Sequence, residues 1–264
     1  MDIVTAHAFL ADLIGKYRIA VDFEGILEAQ YRSFLRPDAT IVDIGAHEGR
    51  HTRVFIEVAC QGRVIAVEPL PDKALGLKNT FGASITLFQG ALGEKEGRTK
   101  FIWAQGTPEE SGFRERHYND PQNARPTEIE VEVTTLDQLG RDLRRCDFVK
   151  IDVEGAELMA LRGGTSFLDR LRPIVSVEFG HPAYSVYGHE ASDLFHFAAS
   201  RRYTLHDIFL NPVPDLETWS AICDRATWDY FMIPNERSPS PDLLSASASH
   251  SAPSLFERLR RRLS

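Results

Sequence analysis

An α/β fold, with helices on both faces of a mostly parallel twisted sheet, is predicted for this 264-residue chain by three observations. Short β-branched and apolar runs alternate with helix-like stretches in one series from about residue 40 to 180. The first run, Thr40-Ile41-Val42-Asp43-Ile44, ends at a glycine turn, Gly45-Ala46-His47-Glu48-Gly49. The second, Arg63-Val64-Ile65-Ala66-Val67, ends in a single acid, Glu68. Alternating strands and helices imply parallel strands joined by right-handed crossovers. A strand, glycine loop, helix, strand and acid in that order is the pattern of a nucleoside-binding βαβ unit.

Taken in order, residues 1–37 mix apolar and charged positions at helical spacing until Pro37 and Asp38 stop them, which predicts a helical cap before the first strand. Strands are expected near 40–44, 63–68, 84–89, 147–152 and 173–178, with helices between them. Arg98 to Trp103 and Glu128 to Thr134 alternate like strands and are read as an inserted antiparallel pair. The polar stretch between them, Thr107 to Thr127, is expected to be a long exposed loop, either closing over a ligand or moving freely in solvent. The main domain is therefore set at 38–235. A Ser/Pro-rich tail follows at 236–264, expected to be disordered, with a short basic amphipathic end from Leu255 to Leu263. That end suits an anionic membrane surface or an acidic partner, or is a solvated terminus.

Each part of the first βαβ unit has a physical role. Gly45 lets the chain turn out of the strand without a Cβ in the way, and Gly49 lets helix and ligand approach the backbone. Asp43 at the strand's edge would anchor the loop or a cationic ligand group. Glu68 stands where a carboxylate can accept hydrogen bonds from ribose hydroxyls, or else caps the helix starting near Pro71. The spacing Asp43-x-Gly45-Ala46-x-x-Gly49 departs from the three-glycine fingerprint that sets a helix N-terminus against a dinucleotide pyrophosphate. A nucleoside ligand without phosphates fits better, and S-adenosylmethionine is one.

Three stretches together resemble the FkbM family of S-adenosylmethionine-dependent methyltransferases. They are Val42-Asp43-Ile44-Gly45-Ala46 with Gly49, then Glu68-Pro69-Leu70-Pro71 with Leu77-Lys78-Asn79, and Val149-Lys150-Ile151-Asp152-Val153-Glu154-Gly155-Ala156-Glu157. The third string, with Leu161 and Gly163 after it, is the most specific. Gly90-Ala91-Leu92-Gly93 looks like the family's segment after the third strand, where the adenine end of the cofactor is held. The resemblance covers about residues 38 to 235. It implies a class I, Rossmann-like methyltransferase fold, a cofactor site at Asp43, Gly45, Ala46, Gly49, Glu68, Pro69, Gly90 and Ala91, and O-methylation of a sugar, glycoside or polyketide-type metabolite.

Ligands on an open parallel sheet bind outside the carboxyl ends of its strands, so catalytic groups are sought there. Asp152 and Glu154 follow the strand ending at Ile151, and continued extension would put them on one side. One carboxylate would take the acceptor's hydroxyl proton, and the other would orient the acceptor or help hold a divalent cation. Alternatively, Asp152 caps the helix near Ala156 and Glu154 favours its positive end. His181, after the fifth strand, has an unperturbed pKa of about 6.5 suited to a general base; the other reading is a surface turn at His181-Pro182. Tyr184 and Tyr187 would offer stacking surfaces. His47 and His51 are expected to orient backbone or face solvent. No Cys/His spacing marks a zinc site, and no residue is assigned as a metal ligand.

Bulk properties narrow the classes further. A net charge of -8 argues against a nucleic-acid substrate. Cys60, Cys146 and Cys223 are odd in number and scattered, which fits reduced thiols in the cytoplasm, and neither a leader nor a long apolar run is evident. Two alternatives share the fold: a nicotinamide-dependent oxidoreductase, for which the full glycine pattern and a Tyr-x-x-x-Lys pair are missing, and a non-catalytic binding module. A DNA amino-methyltransferase would call for an Asn/Asp-Pro-Pro-aromatic string where Lys150 to Glu154 stand.

Overall fold

The computed structural model describes residues 1–237. Met1–Pro234 form one compact unit; Asn235–Ser264 form a second, of which only 235–237 are described. The expected amphipathic end, Leu255 to Leu263, lies outside the described residues.

Two capped helices open the chain. In α1 (Ile3–Gly15) the Asp2 carboxylate accepts from the Thr5 N–H at 2.8 Å, and in α2 (Phe23–Phe34) Asp22 does the same for Gly25 at 2.9 Å. Strands β1 (Thr40–Ile44), β2 (Arg63–Glu68) and β3 (Ile85–Gln89) alternate with α3 (Arg50–Val58) and α4 (Pro71–Phe81). A small second sheet follows, formed by β4 (Ala91–Leu92), β5 (Gly97–Ala104) and β6 (Pro126–Thr134), with β5 and β6 antiparallel from Gly97 opposite Val133 to Ala104 opposite Pro126. The main sheet resumes with β7 (Phe148–Ile151) and β8 (Ile174–Glu178) and ends with β9 (Tyr203–Asp207) and β10 (Asp229–Pro234).

The seven-stranded order is β3-β2-β1-β7-β8-β10-β9, parallel except for β10, which runs antiparallel to both its neighbours. This is the class I, Rossmann-like arrangement expected from the sequence. The chain winds outward from β1 to β3, then returns to the other side of β1 with β7. Their boundary is the topological switch point, where a crevice opens beyond the strand ends. Alternation sends Ile41, Phe148 and Phe231 to one face, packed on Leu27, Tyr31 and Phe55 of α2 and α3. Val42, Val149, Ile151, Val175 and Val177 pack the other face against Leu158, Leu161, Leu168 and Trp219. Both faces are thus buried, as a parallel sheet requires.

The last two strands were not among those expected. Tyr230-Phe231-Met232-Ile233 is apolar throughout because β10 is covered on both faces, so it lacks the alternation that betrays a half-exposed strand. Its partner β9 is separated from it by a helix, Leu216–Ile222, so no hairpin turn advertises the pair.

Candidate active site at the carboxyl edge of the sheet

At the end of β1 the glycine loop is dictated by close approach. Gly45 adopts φ +79°, and a Cβ there would stand 1.8 Å from the Asp152 carbonyl oxygen, so no other residue fits without moving the β7 end. Gly49, at φ +82°, starts α3 against the Phe81 ring and Leu77. The Gly45 and Ala46 N–H groups both donate to the Val67 carbonyl, which ties the loop to β2. Asp43 is fully buried beneath it and accepts from the Thr52 hydroxyl at 2.5 Å. It therefore fixes α3 under the loop from a position that lines no cavity described below.

Glu68 reaches back to the same loop. One carboxyl oxygen accepts from the His47 N–H at 2.8 Å and the other from the Leu70 N–H at 2.9 Å, so the side chain braces the loop and the start of α4 together. Burial raises its pKa to about 7, against the pull of those two N–H groups. Glu68 lines a cavity of about 130 Å³ with Gly45, His47, Pro69, Asp152 and Glu154. Pro108, Glu109 and Ser111 from the segment between β5 and β6 roof it, which places the inserted loop over the site. His47 has φ +47° and a buried Nε2 with no hydrogen-bond partner, and burial followed by the Lys73 ammonium lowers its pKa. Gly90 donates to the Glu68 carbonyl at 3.1 Å and Ala91 is buried in β4, but neither lines the cavity.

The second half of the site is set by strand register. Asp43 pairs with Lys150 across β1 and β7, and Lys150 with Ser176 across β7 and β8. One residue beyond the pair Ile151–Val177, Asp152 and Glu178 stand side by side. The buried Lys150 Nζ donates to Asp152 at 3.0 Å. Burial opposes ionisation of Asp152, but the Lys150 ammonium and a hydrogen bond with Glu178 outweigh it and hold the pKa at about 2. Glu178 is pushed well above the carboxylate range by burial and by the Asp152 charge. The pair therefore holds one proton, carried by Glu178 and shared toward Asp152.

Glu154 and Gly155 then turn sharply, with φ of +56° and +100°. Buried Glu157 accepts from the Val153 and Gly155 N–H groups, both at 3.0 Å, and so holds that turn in shape. Burial and Asp152 push Glu154 upward, while an ion pair with Arg116 from the inserted loop opposes them. Carboxyl oxygens of Asp152, Glu154 and Glu178 lie within 4.8 Å of one another, a spacing that a hard divalent cation could share. Lys150 and Arg116 already compensate two of these charges.

The structure thus gathers Gly45, Glu68, Pro69, Asp152 and Glu154 around one cavity and leaves His181 outside it. His181 is exposed on a short helix, His181–Tyr184, where its N–H donates to Asp224. Tyr184 is buried with its ring stacked on Phe179 at 4.1 Å, so it is closed to the stacking the sequence suggested; Tyr187 is half-buried, its ring already flanked by Arg114 at 5.4 Å and His189 at 6.2 Å, and it does not line this cavity. Sequence reasoning assigned no role to Glu178 or Glu157. The signal for Glu178 was present, since two neighbouring parallel strands each end in an acid. Among the described residues no helix is long and apolar enough to cross a membrane.

The family model described as the methyltransferase FkbM domain matches residues 43–208. The 2-O-methyltransferase NoeI of Sinorhizobium fredii (strain NBRC 101917 / NGR234) is 27% identical over 150 residues, which is 52% of this chain and 62% of that protein. The chain therefore spans less than two thirds of that relative's length. Among solved structures, a methyltransferase FkbM from Methylobacillus flagellatus KT has 19% identity, covers 87% of this chain and 58% of its own, and superposes with a TM-score of 0.47. The O-methyltransferase from Bacillus cereus in complex with SAH has 10% identity, covers 88% and 90%, and gives a TM-score of 0.42. Because the family model spans well over half of the sequence, from Asp43 in β1 through β8 to the residue after β9, this chain belongs to the FkbM methyltransferase family.

Proposed function

We propose that the chain transfers a methyl group from S-adenosylmethionine to a hydroxyl of a sugar, glycoside or polyketide-type metabolite. The observation that carries this reading is the joining of two elements at one cavity: the Gly45–Glu68 cradle and the carboxylate of Asp152, with Glu178 beside it on the next strand. The cradle suits the cofactor on three counts. Gly45 leaves backbone open, Glu68 offers acceptors to a ribose, and the neutral His47 points an unpartnered ring nitrogen into buried space. When bound, the cofactor supplies a methyl group already activated by a sulfonium. The O-methyl assignment follows the relative named as a 2-O-methyltransferase.

Proton handling falls to Asp152. A hydroxyl oxygen that gains a methyl becomes an oxonium far more acidic than any carboxylic acid, so even a carboxylate held at about 2 can accept its proton. Lys150 keeps Asp152 ionised for that role, and Glu178 holds it in place through the shared hydrogen bond. Glu154, fixed by Arg116, is available to orient the acceptor. The cavity is smaller than the roughly 300 to 1,000 Å³ usual for ligand sites. Mass spectrometry after incubation with S-adenosylmethionine and a panel of glycosides tests the reading: an ether methyl on the acceptor supports it, and methylation confined to amines contradicts the O-methyl assignment.

A further inference from the structure

A second groove, of about 420 Å³, is lined by Glu178, the strand neighbour of Asp152. Its walls come from the start of α2, including Asp22 and Glu24, and from the turn into β10, Trp228 and Asp229. Glu178 in this groove and Asp152 in the methyl-transfer cavity are neighbours on adjacent strands, with carboxyl oxygens within 4.8 Å of each other.

Trp228 is unusual among the large apolar side chains because it is 43% exposed. It does not hang free. Gly180 lies under its indole so closely that a Cβ there would stand 2.6 Å from Cδ2 and 2.8 Å from Cγ. The Trp228 carbonyl accepts from the Phe179 N–H at 2.7 Å, which pins the backbone. One face of the ring is thus laid on backbone, and much of the rest of it is open to solvent. Beside it, the Asp229 carboxyl makes no hydrogen bond or ion pair with any described residue. The groove carries four acidic side chains and no Lys, Arg or His.

We infer that this groove is the acceptor site and that it takes an uncharged sugar ring, stacked on Trp228 with its hydroxyls on Asp229 and Glu178. The inference rests on the methyl-transfer reading above. A pyranose has an apolar C–H face and a rim of hydroxyls, so it matches a flat aromatic floor beside carboxyl acceptors. The volume holds one or two such rings. An anionic acceptor, such as a uronate or a phosphorylated sugar, would lie beside four acids, of which Glu24 alone is paired with cations, Arg50 and His51. A cation would be drawn by the acids, but burial raises Asp229 to about 7 and Glu178 beyond it, so both spend much of the time neutral near pH 7.

The test is NMR titration of the full chain, saturated with S-adenosylhomocysteine, with neutral methyl glycosides of several hexoses and 6-deoxyhexoses, with methyl glucuronide and with glucosamine. The Trp228 indole N–H is assigned by its loss in Trp228→Phe. At least one neutral glycoside should shift that signal, bind Trp228→Phe within about threefold of wild type and bind Trp228→Ala at least about tenfold more weakly. Gly180→Ala, which lifts the ring from beneath, should weaken the same glycoside without altering any groove side chain. The proposal is overturned if no neutral glycoside moves the Trp228 signal, if Trp228→Ala binds as wild type does, or if the glucuronide or glucosamine binds better. Cofactor titrations on the same samples separate the two readings: glycoside binding without S-adenosylmethionine binding sinks the methyl-transfer reading and spares the groove, and the converse spares only methyl transfer.

Discussion

Asp152 and Glu178 stand on adjacent parallel strands one residue beyond the pair Ile151–Val177, with carboxyl oxygens within 4.8 Å of each other. Parallel neighbours are about 4.8 Å apart, so two acids at the same register position share a proton unless a cation separates them. Lys150, two residues before Asp152, sets which one ionises. Asp152→Asn should therefore lower turnover by roughly a hundredfold or more with little change in cofactor affinity. Glu178→Gln keeps a donor to Asp152 and should lose no more than about tenfold near pH 7. Steady-state kinetics with calorimetry separate the two, and the reverse ranking would move the proton acceptor to Glu178.

The glycine loop offers a stability prediction with an internal control. Gly45→Ala sets a Cβ against the Asp152 carbonyl at positive φ and should cost at least about 2 kcal/mol in denaturant unfolding. Gly76→Ala, on the exposed side of α4 with open space around it, should instead stabilise by about 0.5 to 1 kcal/mol. Equal effects at the two positions would mean that the approach of β1 to β7 is not tight.

Glu157 predicts a pH dependence. Its folded pKa lies at about 7, above the 4.5 of a free side chain, because burial outweighs the two backbone N–H groups it accepts from. The native state then binds a proton that the unfolded chain has released. Its contribution is full below about pH 4.5 and is lost as pH rises through about 7. Glu68, also raised to about 7, adds in the same direction. Thermal unfolding should show a higher Tm at about pH 5.5 than at about pH 8. Glu157→Gln keeps an oxygen for both N–H groups but cannot ionise, so it should shrink that difference; an unchanged slope would show that Glu157 is not the group responsible.

How much of this was legible in the sequence depended on whether a residue's partner was local. The glycine loop, Glu68 and the turn at Asp152 to Gly155 could be read because strand, turn and acid follow one another along the chain. The inserted pair β5–β6 was readable through β6, where acid and apolar residues alternate from Glu128 to Val133. Glu178 acquires its role only from lying beside Asp152 in register, 26 residues away along the chain, and Trp228 only from Gly180 beneath it. Asp43 could be read from its place at the strand end as anchoring either the loop or a cationic ligand group, and its burial against Thr52 matches the first of these. His181 has the right chemistry for a base, but the chain bends at Gly180 and carries it to the surface beside Asp224.

The central claim, that the crevice between the Gly45 loop and Glu68 is an S-adenosylmethionine site, is tested most directly by calorimetric titration of the full chain and of Glu68→Gln with S-adenosylmethionine and, separately, NADPH. Glutamine preserves one acceptor for the loop but loses the charge that strengthens bonds to ribose hydroxyls. The account predicts that wild type binds S-adenosylmethionine and not NADPH, and that Glu68→Gln stays folded and weakens by about 1.5 to 3 kcal/mol. Binding of NADPH without S-adenosylmethionine, or undiminished S-adenosylmethionine affinity in Glu68→Gln, would contradict it.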